Sequence, residues 1–134
     1  MARPPDIQGT DEVRQMLQQL FEVAAAKSLA VIDQPEAEPE MARFLQAVEQ
    51  HPEHRDFIVR LFIESFQTKW PSWEFMQFCM HRLRWAEIQA FIKSKKTEDV
   101  QQHGSRSSTV WDSILEAFED DWPYARFFDT FRQQ

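Results

Sequence analysis

The chain has 134 residues, enough for one domain with a substantial hydrophobic core. Its net charge of −7 repels a phosphate backbone, which disfavours nucleic acid as a partner. With only 2 glycines and no asparagine, the chain has little material for tight hairpin turns, so the composition argues against a mainly β protein and predicts an all-α fold.

The composition also bears on location. Cys79 is the only cysteine, which excludes an internal disulfide and fits a reducing compartment. The N-terminus lacks the apolar core of a signal peptide, and no apolar run is long enough to span a bilayer. We therefore expect a cytoplasmic protein with no membrane partner.

Six or seven helices joined as antiparallel hairpins are predicted from the spacing of apolar residues. Residues 1–9 contain two prolines and a glycine and are expected to form a flexible tail, ahead of a single domain over 10–134. Thr10 is a suitable N-cap for a first helix that runs to about Ile32. Residues 33–40 form an acidic, proline-containing loop whose order the sequence does not decide.

The middle of the chain predicts a dense set of helices. A second helix ends at His51, because Pro52 follows, and a third runs from about Glu53 to Gln67 with apolar residues nearly all round, typical of a buried helix. Residues 72–95 are helical in pattern, but the sequence leaves open whether they form one helix or two.

The last third begins with a predicted loop. Residues 94–108 are polar and contain Gly104, which makes them the best position for a flexible segment. Thr109 and Asp112 resemble a capping box that opens the next helix, and a final helix is expected after Pro123.

An internal repeat is the most distinctive pattern. Residues 58–77 align without gaps on residues 110–129 at an offset of 52. The identical pairs are those that the corner of a helical hairpin needs: Glu64/Glu116, Phe66/Phe118, Trp70/Trp122, Pro71/Pro123 and Phe75/Phe127. The repeat predicts two related hairpins, at about 53–93 and 108–132.

This two-helix unit resembles, at the level of architecture, the repeats of HEAT-like α-solenoids. The resemblance covers about residues 40–132 and implies a short, curved bundle of stacked hairpins. The alternative is a chance match between two amphipathic helix pairs.

Few side chains suggest catalysis or a metal. His51 and His54 have acidic neighbours, but Pro52 between them means that they need not share a helix face, and whether they bind a metal stays open. Cys79 is expected to be a buried apolar side chain, so no catalytic residue, metal ligand or cofactor is assigned.

Surface aromatic and charged residues provide the candidate binding site. Tryptophans at turns and helix ends are the aromatics whose burial is least assured. A basic strip around residues 82–96 and an acidic region at 116–129 are interpreted first as ordinary solvated helix faces and ends, and alternatively as surfaces that each meet a complementary partner. The partner-binding candidates are Trp70, Trp73, Arg82, Arg84, Trp85, Asp120, Asp121 and Trp122.

These features predict a non-catalytic protein-interaction module: an adaptor, a regulator or an inhibitor comparable to an immunity protein. A protein partner is expected, and the oligomeric state is not determined by the sequence. The alternative is a small-molecule- or metal-binding helical-bundle enzyme that uses His51, His54 and His81 as titrating groups.

Overall fold

The computed structural model describes residues 5–68 and 73–132, which contain seven α-helices and no strand. The all-α fold with six or seven helices is therefore confirmed. The helices are α1 (Pro5–Ala30), α2 (Glu38–Gln50), α3 (Arg55–Thr68), α4 (Trp73–Leu83), α5 (Ala86–His103), α6 (Thr109–Glu116) and α7 (Asp129–Arg132). Short 3-10 helices occupy Gln34–Ala37, Pro52–His54, Ser105–Ser108 and Pro123–Phe127. Within these described ranges, no helix has the length and apolar character needed to cross a membrane.

The N-terminal helix starts earlier than its pattern predicts. Helix α1 begins at Pro5 rather than Thr10, so the described part of the expected tail is helical. Proline is tolerated in the first turn of a helix, because the N–H that it lacks would have no partner there. At the other end, Gln34 stabilises the exit of α1, since its Nε2 donates to Ser28 O at 3.0 Å.

The acidic segment 33–40 is ordered in the structure. It consists of the 3-10 helix Gln34–Ala37 followed directly by the start of α2 at Glu38. Pro35 lies in the first turn of the 3-10 helix, a position where proline removes no hydrogen bond.

Residues 72–95 form two helices in their described part, with the break at Arg84. Arg84 has a φ of 49°, in the left-handed region that ends a helix. Its backbone N–H donates to Met80 O at 2.9 Å, and its Nε donates to His81 O at 3.1 Å, so Arg84 satisfies the carbonyl groups at the end of α4.

The prediction of a flexible loop over residues 94–108 is wrong. Helix α5 continues to His103 and ends at Gly104, whose φ is 89°. Five of residues 94–103 are lysine, glutamate or glutamine, which are good helix formers. The stretch is also held to α6, because Trp111 Nε1 donates to Asp99 and Lys96 Nζ lies 2.6 Å from Asp112 Oδ1. The N-cap of α6 is Ser108 rather than Thr109, and its hydroxyl bonds to Asp112 at 3.0 Å.

Four phenylalanines form the centre of the core, one from each of the first four helices: Phe21, Phe44, Phe62 and Phe75. Their ring centroids lie 5.1 to 6.1 Å apart, mostly in edge-to-face geometry. Aromatic pairs in this geometry contribute about 0.5–1.5 kcal/mol each beyond the burial of their area. The cluster therefore fixes α1 to α4 as one unit.

Residues 122–132, which we call the clasp, fold back onto this unit. Phe128 and Phe131 each pack on Phe78 of α4 with ring centroids 5.1 Å apart. The Glu38 carboxylate at the start of α2 accepts hydrogen bonds from the backbone N–H and hydroxyl groups of Thr130, both at 2.7 Å. The clasp is thus held to α4 by aromatic contacts and to α2 by a charged acceptor.

The two copies of the sequence repeat have different outgoing elements. After the first corner comes α4, a helix of 11 residues, whereas after the second come the 3-10 helix Pro123–Phe127 and the four-residue α7. Phe128 between them is extended, which lets Phe128 and Phe131 both reach Phe78. The first corner, with Trp70, lies outside the described residues, so the HEAT-like stacking of two equivalent hairpins stays a prediction.

Cys79 is completely buried in α4, and burial raises the pKa of its thiol well above the ordinary value. Since the thiolate is the reactive form, we expect Cys79 to resist a thiol reagent such as DTNB in native buffer and to react fully in denaturant. The measurement is the labelling rate against denaturant concentration. Rapid stoichiometric labelling in native buffer would contradict this packing of α4.

Candidate partner-binding cleft

A cleft of about 660 Å³ opens between the segment 32–36 that follows α1, the start of α4, Ser113 of α6 and the clasp. Thirteen side chains line it: Ile32, Asp33, Gln34, Pro35, Glu36, Trp73, Glu74, Gln77, Ser113, Trp122, Tyr124, Phe127 and Phe128. Such volumes are within the range of about 300–1,000 Å³ found for binding pockets. The site therefore combines residues from four separate parts of the chain, at 32–36, 73–77, 113 and 122–128.

The mouth of the cleft holds a concentration of exposed apolar side chains. Ile32 is 97% exposed, Tyr124 56% and Phe127 48%. They are three of the six large apolar side chains that are exposed among those the structure describes. Tyr124 and Phe127 lie ring to ring at 6.1 Å on the 3-10 helix of the clasp. An aromatic surface of this kind is typical of a binding site rather than of a solvated face.

The floor of the cleft is buried. Trp122 is 4% exposed, stacks on Phe128 with an interplanar angle of 20°, and packs on His81 with ring centroids 5.1 Å apart. Gln77 is buried beside it and donates through Nε2 to Ser113 O at 2.5 Å, which ties α4 to α6. The Trp122 indole N–H is buried and has no hydrogen-bond partner in the described part of the chain.

The rim of the cleft is acidic. Asp33 is exposed at the N-cap of the 3-10 helix that follows Ile32, Glu36 is exposed within that helix, and Glu74 lies in the first turn of α4. None of the described lining residues is a lysine or an arginine. The nearest positive group in sequence is Arg126, whose guanidinium lies 5.0 Å from the Phe127 ring centroid. The lining thus pairs an aromatic wall with negative charge.

Two of the four predicted tryptophans line this cleft, Trp73 at its edge and Trp122 in its floor. Trp85 does not: it is 8% exposed and packs beneath the Arg55 guanidinium at 5.1 Å. Its burial shows that a tryptophan at a helix end is not necessarily at the surface, because α3 covers it. Trp70 lies outside the described residues.

The predicted charged residues mostly have partners within the chain. Arg84 Nη1 lies 2.5 Å from Asp120 Oδ1, and this hydrogen bond lowers the pKa of Asp120. Arg82 contacts Glu49 at 3.4 Å. The basic strip and the acidic region, interpreted alternatively as partner-binding surfaces, thus meet each other at Arg84 and Asp120. Asp121 is exposed, and its role in partner binding stays a prediction.

Sequence reasoning missed three of the cleft's principal residues: Ile32, Tyr124 and Phe127. The apolar spacing predicts that the first helix runs to about Ile32 and that Tyr124 and Phe127 lie on the last helix, and it marks none of the three as exposed. The signal that separates them from the core is weak. Ile32 lies at the boundary with an acidic segment, and the Pro123–Phe127 stretch is too short to bury all of its aromatics on one side.

The histidines of the enzyme alternative do not lie in this cleft. His51 Nδ1 and His54 Nε2 both approach Glu53 Oε1, at 3.3 and 3.8 Å. Among the residues that the structure describes, no group of three or more histidine, cysteine, aspartate and glutamate side chains has the geometry to hold a metal ion.

His81 of α4 packs against the clasp. Its ring packs on Phe131 at 4.8 Å, and its Nδ1 donates to Ala117 O at 2.9 Å. Burial is the largest effect on His81 and lowers its pKa below the ordinary value of 6.5. The positive charges of Arg84 and Arg82 lower the pKa further, whereas the hydrogen bond to the Ala117 carbonyl and the negative charge of Asp120 raise it.

This shift predicts a pH dependence of stability. The unfolded chain binds a proton at His81 more readily than the folded chain, so the contribution of His81 is complete above the unfolded pKa and is lost as pH falls through the folded pKa. We expect the free energy of unfolding to fall between pH 7 and pH 5 by less in His81→Asn than in the wild type. Urea denaturation at both pH values measures this, and equal losses in the two proteins would contradict it.

No protein-family model matches the chain, and neither a search of curated proteins nor a search of solved structures finds a match. The functional argument therefore rests on the geometry of the cleft itself.

Proposed function

We propose that this chain is a non-catalytic, cytoplasmic protein-interaction module, and that the cleft between the segment 32–36, α4 and the clasp is its binding face. One observation carries the proposal: Ile32, Tyr124 and Phe127, three of the six exposed large apolar side chains in the described structure, surround one cleft. Aromatic anchors concentrated at one place are what dominate the affinity of protein interfaces. An adaptor, a regulator or an inhibitor would all use such a face.

A polypeptide suits this cleft better than a small molecule alone. Ile32 is almost fully exposed at the rim, and a ligand contained in the cleft would leave most of this side chain in water. A peptide segment covers the rim as well as the cavity, and burial of apolar area is the main favourable term in association. The buried floor of Trp122 and Gln77 gives the site a fixed shape.

The test is selection of a random peptide library displayed on phage against the purified protein, followed by titration of the enriched peptides. We expect the peptides to bind the wild type and to lose at least about tenfold in affinity with Phe127→Glu, because the charge would be desolvated at the apolar wall. Val23→Glu is the matched control, since Val23 is 52% exposed and Phe127 48%, and Val23 lies on α1 away from the cleft lining.

Two results would count against this proposal. If no peptide is enriched, the cleft does not serve as a peptide-binding face. If the peptides lose affinity with Val23→Glu and keep it with Phe127→Glu, the binding face lies on α1. Circular dichroism of both variants must show the helical spectrum of the wild type, which is expected because both positions are about half exposed.

A ligand-binding role is the second candidate, and the cleft's volume of about 660 Å³ favours it. Gln77 and Ser113 would provide polar contacts at the floor. A fragment screen by ¹⁵N NMR distinguishes the two: a small molecule that shifts the Gln77 side-chain amide, together with failure of the peptide selection, would favour this second role.

A further inference from the structure

The charges around the cleft carry an inference about its occupant. Asp33 directly follows the exposed Ile32 and is the N-cap of the 3-10 helix Gln34–Ala37, which contains Glu36, and both acidic side chains are exposed. Neither carboxylate has an ion-pair or side-chain hydrogen-bond partner in the described part of the chain. An apolar anchor and two available negative charges therefore share the same edge of the cleft.

Elsewhere on the surface, several charged side chains are paired with one another. Arg84 pairs with Asp120, Arg55 with Glu87 at 2.5 Å, and Lys96 with Asp112. Those pairs already use charges of both signs within the fold, so they offer little net charge to a partner. The edge formed by Ile32, Asp33 and Glu36 keeps its negative charge for whatever covers it.

We infer that the cleft takes a cationic amphipathic segment of a partner protein, whose apolar side chains enter the aromatic cleft while lysine or arginine side chains contact Asp33 and Glu36. The inference rests on the proposed function and specifies its partner. An amphipathic segment is the form of polypeptide that presents an apolar stripe with charges along its border. Charge complementarity at the rim of an interface selects the partner and accelerates association.

Other occupants do not match the charges. A nucleic acid or an anionic membrane would bring further negative charge to an acidic rim on a chain whose net charge is −7. A second copy of the chain, placed cleft to cleft, would bring two acidic rims into one interface, and the described lining of each cleft has no lysine or arginine to neutralise them. Such like-charge contacts disfavour association.

The test uses three fluorescein-labelled synthetic peptides of the same length. Each has leucine and tryptophan at the same helically spaced positions, and all of its remaining positions are lysine in the first peptide, glutamine in the second and glutamate in the third. Their dissociation constants are measured by fluorescence anisotropy against the wild type, the double variant Asp33→Lys/Glu36→Lys and Phe127→Glu. The double variant Glu12→Lys/Glu22→Lys is the matched control, because it makes the same change in net charge at exposed positions of α1 that do not line the cleft.

We expect the lysine peptide to bind the wild type about tenfold more tightly than the glutamine peptide, and the Asp33→Lys/Glu36→Lys variant to prefer the glutamate peptide. We also expect the difference to shrink as salt is raised from low to physiological concentration and beyond, since exposed charges are screened. Glu12→Lys/Glu22→Lys should retain the preference of the wild type.

Each contrary result is informative. If the lysine and glutamine peptides bind equally and both lose affinity with Phe127→Glu, the cleft binds peptides but does not select for charge, so this inference fails while the proposed function stands. If Glu12→Lys/Glu22→Lys abolishes the preference as fully as the rim variant, the attraction comes from the net charge of the chain and the rim has no special role. If none of the peptides binds, the inference fails. The proposed function is then tested independently by the phage selection.

Discussion

Phe62→Ala is expected to lower the free energy of unfolding by about 3–5 kcal/mol, the usual range for truncating a buried phenylalanine. Phe62 is 1% exposed and its ring contacts Phe21, Phe44 and Phe75, so the cavity would open where α1 to α4 meet. The surrounding rings are held in edge-to-face contact from three other helices and have little freedom to collapse into the space.

Chemical denaturation followed by circular dichroism measures this effect. Phe127→Ala is the matched control, because it removes the same side chain from a position that is 48% exposed, and a much smaller loss is expected there. Should Phe62→Ala not fold, Phe62→Leu keeps most of the volume and should still cost more than Phe127→Leu. Equal losses at positions 62 and 127 would mean that the four-ring cluster is not the centre of the core.

Trp122→Ala is expected to produce the second large effect, a loss of about 3–5 kcal/mol in the stability of the clasp. Trp122 is 4% exposed and contacts both His81 of α4 and Phe128 of the clasp. Removing the indole would leave the 3-10 helix Pro123–Phe127 with few apolar contacts to α4. Because the clasp also forms one wall of the cleft, peptide binding should weaken together with it.

Hydrogen exchange of the amides of residues 122–132 is the appropriate measurement, since it detects local opening of the clasp as well as global unfolding. Trp122→Phe is the informative comparison. It keeps an aromatic ring and removes an indole N–H that is buried without a partner in the described structure, and such a group costs about 1–3 kcal/mol. Trp122→Phe should therefore lose much less than Trp122→Ala, and an equal loss would show that the N–H is bonded in solution.

The fold class and most of the helices follow from local features of the sequence. Apolar residues at helical spacing predict most boundaries of α1, α2 and α3 to within a few residues, because this periodicity can be recognised within a short stretch of sequence. Helix boundaries are harder to predict where the helix propensity of the residues and the polar composition of the segment point to different structures. Residues 94–103 are polar enough to read as a loop, yet their helix formers and their contacts with α6 extend α5 to His103.

The candidate site was only partly visible in the sequence. Trp73 and Trp122 were selected for their positions at helix ends, and both line the cleft, but Trp85 was selected on the same ground and is buried under Arg55. Exposure of an aromatic side chain depends on which neighbouring helix covers it. The order of residues along one helix does not contain that information.

What the sequence by itself determined is the all-α class, the spacing of the helices and the acidic balance of the chain, since each depends on composition or on residues a few positions apart. Only the tertiary structure decided that Ile32 and Phe127 share one cleft, that Arg84 and Asp120 neutralise each other, and that Asp33 and Glu36 remain available at the rim. These are contacts between distant parts of the chain. They form when the core buries the apolar faces of α1 to α4, and the same packing determines which side chains remain at the surface.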